Sequence, residues 1–120
     1  MNRWVLLEHK VFLNNFIDIH YDFLVESENY CFTWKLLEIP SSNKGFIKIK
    51  KQPNHRLVWL SRLEYELSDN RGFVKRIDQG NFINIFSKKD FQEITLSLDG
   101  HLLNGLFSIS GDFCRLTNNN

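Results

Sequence analysis

The stretch DIHYDFLVE, residues 18–26, alternates between two kinds of side chain and indicates a β-strand. Successive side chains of a strand point to opposite faces of its sheet. One face of this strand is apolar and aromatic and belongs in a core: Tyr21, Phe23 and Val25. The other face begins with an imidazole and a carboxylate, His20 and Asp22, and continues to Leu24. The strand therefore predicts a sheet with one packed face and a second face that is either solvated or holds a ligand.

Similar short runs follow one another along the chain, separated by turn residues, and none has the apolar period of a helix. The strand candidates are residues 3–9, 19–26, 30–37, 45–51, 72–78, 81–86, 93–100 and 102–110. About eight short strands in a chain of this size predict a mainly β fold, a small closed or partly closed antiparallel β-barrel. We expect one domain over residues 1–116 and a disordered tail over residues 117–120.

Four connections carry specific expectations. Residues 10–19 predict a long first loop, which either folds over a site as a lid or closes one end of the barrel as an apolar plug. Residues 56–60 are apolar after Arg56 and fit a buried strand or a short helical turn. Gln79 and Gly80 predict a hairpin turn. Asp99 and Gly100 predict another, which places Gly105 inside a strand, at a bulge or a close backbone approach.

Composition limits the classes of partner. The formal net charge of +1 gives no strong global field for nucleic acid, so such a partner must meet a local basic patch. No segment approaches the roughly 20 apolar residues of a membrane span, and the first residues lack a signal-peptide pattern. We therefore expect a cytoplasmic protein with reduced, buried thiols at Cys31 and Cys114. A disulfide between them is the alternative in an oxidising compartment.

Histidines near the first two strands suggest a metal site. His9 ends the first strand candidate and His20 begins the second, so pairing of the two strands would bring them together, with Asp22 on the same face. Two imidazoles and a carboxylate suit zinc, manganese or iron and leave positions open for a substrate. A solvated strand face is the simpler alternative.

Other polar residues suit a phosphate group. His55 follows Pro53 and has a side chain able to donate to a phosphate or to protonate a leaving oxygen, although a surface histidine that caps a turn would look the same. Arg71 and Arg76 offer guanidinium groups that match phosphate geometry. Lysines 48 and 50 fit a solvated strand edge. The sequence has no glycine-rich phosphate loop, nucleophile elbow or Cys-x-x-Cys pair, which argues against a nucleotide-cofactor enzyme.

The order of these motifs resembles the 3′-phosphoesterase domain of bacterial ATP-dependent DNA ligase D and its stand-alone relatives. That family has a strand ending in His, then HYDF with a Glu shortly after, then a Ser/Thr-Trp pair. The matching residues here are His9, His20, Asp22, Glu26, Thr33 and Trp34. A His with an aromatic residue four places on is matched by His55 and Trp59. Two closing motifs are matched by Gly72, Val74, Asp78 and Gly80, and by Leu98, Gly100, Leu103 and Gly105.

The resemblance implies a β-barrel whose crater binds a divalent ion, manganese first and zinc second. It implies removal of a 3′-phosphate or a 3′-terminal ribonucleotide from DNA or RNA ends in DNA repair. His9, His20 and Asp22 match the metal ligands, and His55 matches the phosphate-contacting histidine. The chain departs from the family at Leu24, where an arginine is usual, and at Trp59, where a tyrosine is usual. Arg71 or Arg76 would then replace the missing phosphate contact.

Three functions compete on this reading. The first is a metal-dependent phosphoesterase with nucleic-acid 3′ ends as substrate. The second is a catalytically weak or inactive module that binds such ends or a DNA ligase or end-joining protein. The third is a small structural domain with solvated histidines and no site. In each case we expect a monomer that does not associate with membranes.

Overall fold

Nine strands and one short helix make up the regular structure of the described residues. The computed structural model describes residues 2–67, 71–88 and 92–118. In chain order the strands are β1 (Arg3–Phe12), β2 (Ile17–Glu26), β3 (Cys31–Leu36), β4 (Phe46–His55), β5 (Glu64–Glu66), β6 (Phe73–Ser87), β7 (Glu93–Asp99), β8 (Asn104–Ser110) and β9 (Phe113–Thr117). A 3₁₀ helix, η1 (Leu57–Leu60), lies between β4 and β5, so residues 56–60 adopt the helical alternative.

Eight of the nine strands form a closed antiparallel ring. Their order is β1, β2, β3, β4, β9, β8, β7 and β6, and β6 returns to pair with β1. β5 lies outside the ring and pairs only with the first residues of β6. The predicted mainly β, antiparallel architecture of about eight strands is therefore confirmed. The disordered tail predicted over residues 117–120 begins one residue too early, because Thr117 is the last residue of β9. Residues 119–120 lie outside the described part of the chain.

The interior of the ring is filled by apolar side chains from all its strands. The largest fully buried ones are Trp4, Phe23, Trp34 and Phe107, and the ring of Phe23 lies 4.8 Å from that of Phe107. The predicted inward face of β2 is confirmed, since Phe23 and Val25 belong to this core and Tyr21 packs against it. Because side chains alternate, the opposite face of β2 points out of the ring.

A second, smaller cluster lies on the outer face of the ring beneath η1. Its buried members are Val5, Leu7, Leu24, Cys31, Leu60 and Val74. Leu60 comes from η1, whereas the others come from β1, β2, β3 and β6. The outer face of β2 is therefore not simply wet, because Leu24 is fully buried under this cover. The predicted buried thiols are confirmed, and they belong to different clusters, Cys31 to this one and Cys114 to the interior.

The prediction of a long first loop over residues 10–19 is wrong. β1 continues to Phe12 and β2 begins at Ile17, so residues 13–16 alone connect the two strands. The turn is closed by the Leu13 N–H, which donates to the Phe16 carbonyl at 2.9 Å. The apolar residues here are exposed, Phe12 at 61% and Ile17 at 52%. Main-chain pairing satisfies the backbone whether or not side chains are buried, so the strands extend beyond the core.

The hairpin predicted at Gln79 and Gly80 is also wrong, because β6 runs through both residues without turning. Its first part pairs with β1 and its last part with β7. Gly80 is required for packing instead: a Cβ there would collide with the Asp99 carboxylate and lie 3.0 Å from Nε1 of Trp4. A glycine that admits close contact looks in sequence like a glycine that turns the chain.

The predicted turn at Asp99 and Gly100 is confirmed. β7 ends at Asp99, and the Gly100 N–H donates to the Leu103 carbonyl at 2.9 Å before β8 begins. Gly105 lies within β8, as expected, with φ of 136°. A Cβ at Gly105 would collide with the carbonyl of Thr117 on β9, so the glycine marks a close backbone approach. Among the described residues, no helix is long and apolar enough to cross a membrane.

Candidate metal centre

The first hairpin brings the predicted metal ligands together. In the β1–β2 register His9 lies opposite His20, and Leu7 lies opposite Asp22. Cross-strand partners point to the same face, so the three polar side chains share the outer surface of the hairpin. Nδ1 of His9 lies 3.1 Å from Nε2 of His20. The same Nε2 lies 3.6 Å from Oδ1 of Asp22.

These separations match those between ligands of one metal ion. Nitrogen and oxygen ligands stand about 2.0–2.2 Å from zinc, so neighbouring ligands of a tetrahedral ion are about 3.3 Å apart. One ligand atom from each of His9, His20 and Asp22 lies within 4.8 Å of the other two. Two imidazoles and one carboxylate on one side of an ion would leave its remaining positions open.

A carbonyl oxygen orients His9 from the far side of its ring. Nε2 of His9 lies 3.0 Å from the carbonyl oxygen of Arg71. A carbonyl only accepts, so Nε2 carries the proton and donates it, and Nδ1 keeps its lone pair for a ligand or for His20. An imidazole that binds a metal through one nitrogen usually donates from the other in this way.

The cluster is incompletely satisfied as a purely protein arrangement. Among the described residues, the only buried side-chain nitrogen or oxygen without a hydrogen-bond partner is Nδ1 of His20. The nitrogen of His20 that faces His9 and Asp22 is Nε2, so the Asp22 carboxylate is the reason to expect a cation here. Asp22 is 8% exposed, and no described donor approaches it more closely than His20 at 3.6 Å. A buried carboxylate with so little compensation is costly. A cation between the three side chains would offset that charge, so the residues fit a divalent ion.

The cluster borders a cavity of about 330 Å³ between the outer face of the sheet and the segment that contains η1. Its lining residues are Leu7, His9, Asp22, His55, Trp59, Leu67, Arg71 and Val74. His55 ends β4, Trp59 belongs to η1 and Arg71 precedes β6, so the sheet and the covering segment both contribute. The cavity is outside the ring, because side chains of the core fill the interior.

One ring nitrogen of His55 is engaged in a hydrogen bond to the backbone. Its Nδ1 lies 3.1 Å from the carbonyl oxygen of Pro53, so Nδ1 donates and holds the ring against the end of β4. Nε2 makes no hydrogen bond within the described part of the chain. Its position in the cavity lining and this remaining nitrogen suit it to bind a phosphate oxygen or to carry a proton.

The two arginines predicted to bind phosphate lie in different places. Arg71 lines the cavity. Arg76 instead donates to the Leu60 carbonyl at 3.2 Å and lines a separate depression with Ser61 and Lys75. Alternation along β6 predicts that Arg76 shares the outer face with Val74, but the sequence does not show which carbonyl or cavity lies above it.

Several residues of the site gave no signal of their own in the sequence. Leu7 and Leu67 form apolar walls beside Val74, and their role depends on strand register and on the covering segment. Arg62 stacks on the neighbouring aromatic pair, 4.5 Å from the ring centre of Trp59 and 4.0 Å from that of Tyr65. Such contacts hold Trp59 at the cavity edge.

Leu24 occupies the position at which the resembling family has an arginine. It is fully buried in the outer cluster, where η1 covers it. A guanidinium cannot replace this leucine without opening the cluster to water.

Comparison with protein-family models and with the sequences of curated proteins found no match to this chain.

Proposed function

We propose that this protein is a metal-dependent phosphoesterase that acts on 3′ ends of DNA or RNA and removes a 3′-phosphate or a 3′-terminal ribonucleotide in DNA repair. One observation carries the proposal. The His9, His20 and Asp22 cluster opens into a cavity that is also lined by His55 and Arg71. The ordered motifs shared with the ligase D phosphoesterase domain supply the reaction and substrate class, which a site of this chemistry alone would leave open.

Each residue has a definite task in this proposal. His9, His20 and Asp22 hold the divalent ion, with manganese the first candidate and zinc the second. When bound, that ion supplies Lewis-acid polarisation of a phosphoryl oxygen. Arg71 neutralises phosphate charge, and His55 binds the phosphate or carries a proton to the leaving oxygen. Trp59 is an apolar wall with one N–H donor.

Metal binding is the first test. Protein stripped of metal is titrated with Mn²⁺ and with Zn²⁺ by calorimetry, and we expect about one ion per chain. Loss of a direct ligand in His20→Ala or Asp22→Asn should lower affinity by more than the roughly 10–100-fold that loss of an outer-shell partner costs. Asp18→Asn is the matched control, because Asp18 is an exposed carboxylate on the same strand. Absence of binding in the wild type would refute the metal centre.

Phosphate release is the second test. A DNA primer with a 3′-phosphate is incubated with the metal-loaded protein, and inorganic phosphate and the 3′-hydroxyl product are measured. We expect turnover in the wild type and in Asp18→Asn, but none in Asp22→Asn. His55→Gln should retain metal binding and lose most of the rate, because the side chain keeps its size but no longer carries a titrating proton.

Leu24 favours a second candidate function, a catalytically weak or inactive module that binds nucleic-acid ends or a ligation partner. Because position 24 is a buried leucine, the protein has no arginine there to stabilise phosphate charge. Half of the cavity lining is also apolar. Metal binding together with 3′-end affinity but without phosphate release would establish this candidate and exclude the enzyme.

A further inference from the structure

Three lysines share the outer face of β3 and β4. Lys35 and Lys50 are direct cross-strand partners, and Lys48 lies two residues from Lys50 on the same side of β4. Like charges placed directly opposite destabilise a sheet. No ion pair with a described carboxylate offsets any of the three. This arrangement, here called the lysine strip, costs stability unless an anion binds to it.

The strip begins beside the metal centre. Asp22 on β2 pairs with Lys35 on β3, and Lys35 pairs with Lys50 on β4. Cross-strand partners point to one face, so a single outward row runs from the metal ligand to both lysines. Neighbouring strands are about 4.8 Å apart, so Lys35 stands one strand and Lys50 two strands from Asp22.

A shallow depression accompanies the strip. It has a volume of about 390 Å³ and is lined by Lys35, Leu37, Lys48, Ile49, Lys50 and Asp112. Asp112 is its one carboxylate, so the lining carries a net positive charge of two. The whole chain carries only +1, which makes this a local feature and not part of a general basic surface. A ligand complementary to this positive charge is a chain of regularly spaced negative charges that starts at the metal centre.

We propose that the lysine strip binds the phosphodiester backbone of a single nucleic-acid strand whose 3′ end lies at the metal centre. This inference rests on the proposed function and adds the path of the substrate. Lys35 and Lys50 form one row leading away from Asp22, and Lys48 continues it along β4. This single path suits one strand better than the two backbones of a duplex. Each lysine would meet a phosphate through a charge-assisted hydrogen bond.

The test compares two variants with the same change of net charge. Lys35→Gln/Lys50→Gln removes the cross-strand pair of the strip, whereas Lys75→Gln/Lys88→Gln removes two exposed lysines of β6 and its C-terminal end. Binding of a fluorescent single-stranded oligonucleotide with a 3′-phosphate is measured by anisotropy at several salt concentrations. We expect at least a tenfold loss of affinity in the strip variant and less than twofold in the control. The salt slope should become shallower by about 1.4, since each single-strand phosphate contact contributes about 0.7.

The unfolding midpoint distinguishes a specific loss of binding from misfolding, because misfolding would lower it. Removing both opposed charges should leave the unfolding midpoint of the strip variant unchanged or raised. Equal affinity losses in both variants, or no loss in the strip variant, would overturn the inference. So would a strip-dependent affinity for anionic phosphatidylserine vesicles without one for the oligonucleotide.

Different experimental outcomes would contradict the inference about the lysine strip and the proposed phosphoesterase function. Release of phosphate from a 3′-mononucleotide, which is too short to reach the strip, tests the centre alone. Turnover of the mononucleotide with no strip-dependent preference for the oligonucleotide would overturn the inference and keep the enzyme. Strip-dependent oligonucleotide binding without any turnover would support the strip and refute the phosphoesterase.

Discussion

At the scale of single residues, the carboxylate of Asp78 joins distant parts of the ring. It is 5% exposed and accepts backbone N–H groups from four residues, Gln79, His101, Leu102 and Leu103, at 2.8–3.0 Å. Gly100 leaves space for it, because a Cβ there would collide with this carboxylate. The sequence resemblance relied in part on Asp78 and Gly100, and the role of both residues here is structural.

Asp78→Asn should destabilise the protein by about 2–3 kcal/mol, because an amide of the same size places N–H donors against backbone N–H groups that then lose their acceptor. Urea unfolding followed by tryptophan fluorescence measures the change. Asp112→Asn, at an exposed carboxylate, should shift stability by less than about 0.5 kcal/mol. Equal effects in the two variants would show that the buried hydrogen bonds of Asp78 contribute no specific stability.

The buried thiols predict a loss of stability at alkaline pH. Burial raises the pKa of Cys31 to about 11 and that of Cys114 to about 12. Unfolded thiols ionise near pH 9, so the native state holds its thiol protons more tightly. The thiol contribution is therefore complete below about pH 9 and is lost as pH rises through the folded pKa values. Urea midpoints measured across this window should fall less steeply in Cys114→Ala than in the wild type.

The chemical reactivity of the two thiols tests their burial at neutral pH. The thiolate is the reacting form, so both cysteines should resist iodoacetamide in the native protein and react fully in urea. Rapid labelling of Cys114 in the native state, detected by mass spectrometry, would contradict its placement inside the ring.

At the scale of elements, the first hairpin holds two candidate metal ligands along its paired strands and carries exposed apolar side chains at its end. His9 and His20 pair in the middle of β1 and β2, while Phe12, Phe16 and Ile17 extend beyond the core and are more than half exposed. Lengthening both strands equally moves the turn outward and keeps the two imidazoles opposite each other.

Phe12→Ser/Phe16→Ser should change the free energy of unfolding by less than about 1 kcal/mol, since exposed side chains add little to folding. Phe23→Ala is the comparison at a fully buried position and should cost about 3–5 kcal/mol. Both are measured by urea unfolding. A large cost for the exposed pair would mean that the hairpin end packs against another part of the molecule.

At the scale of the whole molecule, the ring is closed by seams of unequal length. β1 and β6 pair from Arg3 to Lys10, whereas β4 and β9 pair only through Phe46, Ile47 and Lys48. Local opening is easiest where few backbone bonds and few buried contacts must break together. The β4–β9 seam is therefore the expected place for the ring to open.

Amide hydrogen exchange measures this difference directly. Amides of the β4–β9 seam should exchange at least tenfold faster than those between β1 and β6, a difference of about 1.4 kcal/mol in opening free energy. The β7–β8 pair, with paired residues along its whole length, is the internal control and should be protected like β1 and β6. Equal protection at every seam would mean that the ring opens only by global unfolding.

Local sequence patterns were sufficient to predict β1 to β4, β7 and β8, their apolar faces and two pairings. They gave no prediction for β5 or β9, and they divided β6 into two strands. Alternation along β2 assigned Phe23 and Val25 to the core, and the Asp99–Gly100 turn placed Gly105 within a strand. Glu26 ends β2, and Arg3 donates to both of its carboxylate oxygens, at 2.9–3.1 Å. These features depend on neighbours along the chain or on side-chain period, and both are visible in sequence.

Tertiary structure alone decided what completes the candidate site around His9, His20 and Asp22. The Arg71 carbonyl that orients His9 is 62 residues away in sequence, and the cavity forms only because η1 covers the outer face of β1 and β2. The lysine strip likewise requires the register of β2, β3 and β4. Contacts between distant segments depend on which strands pair and on what covers them, and no local pattern encodes those choices.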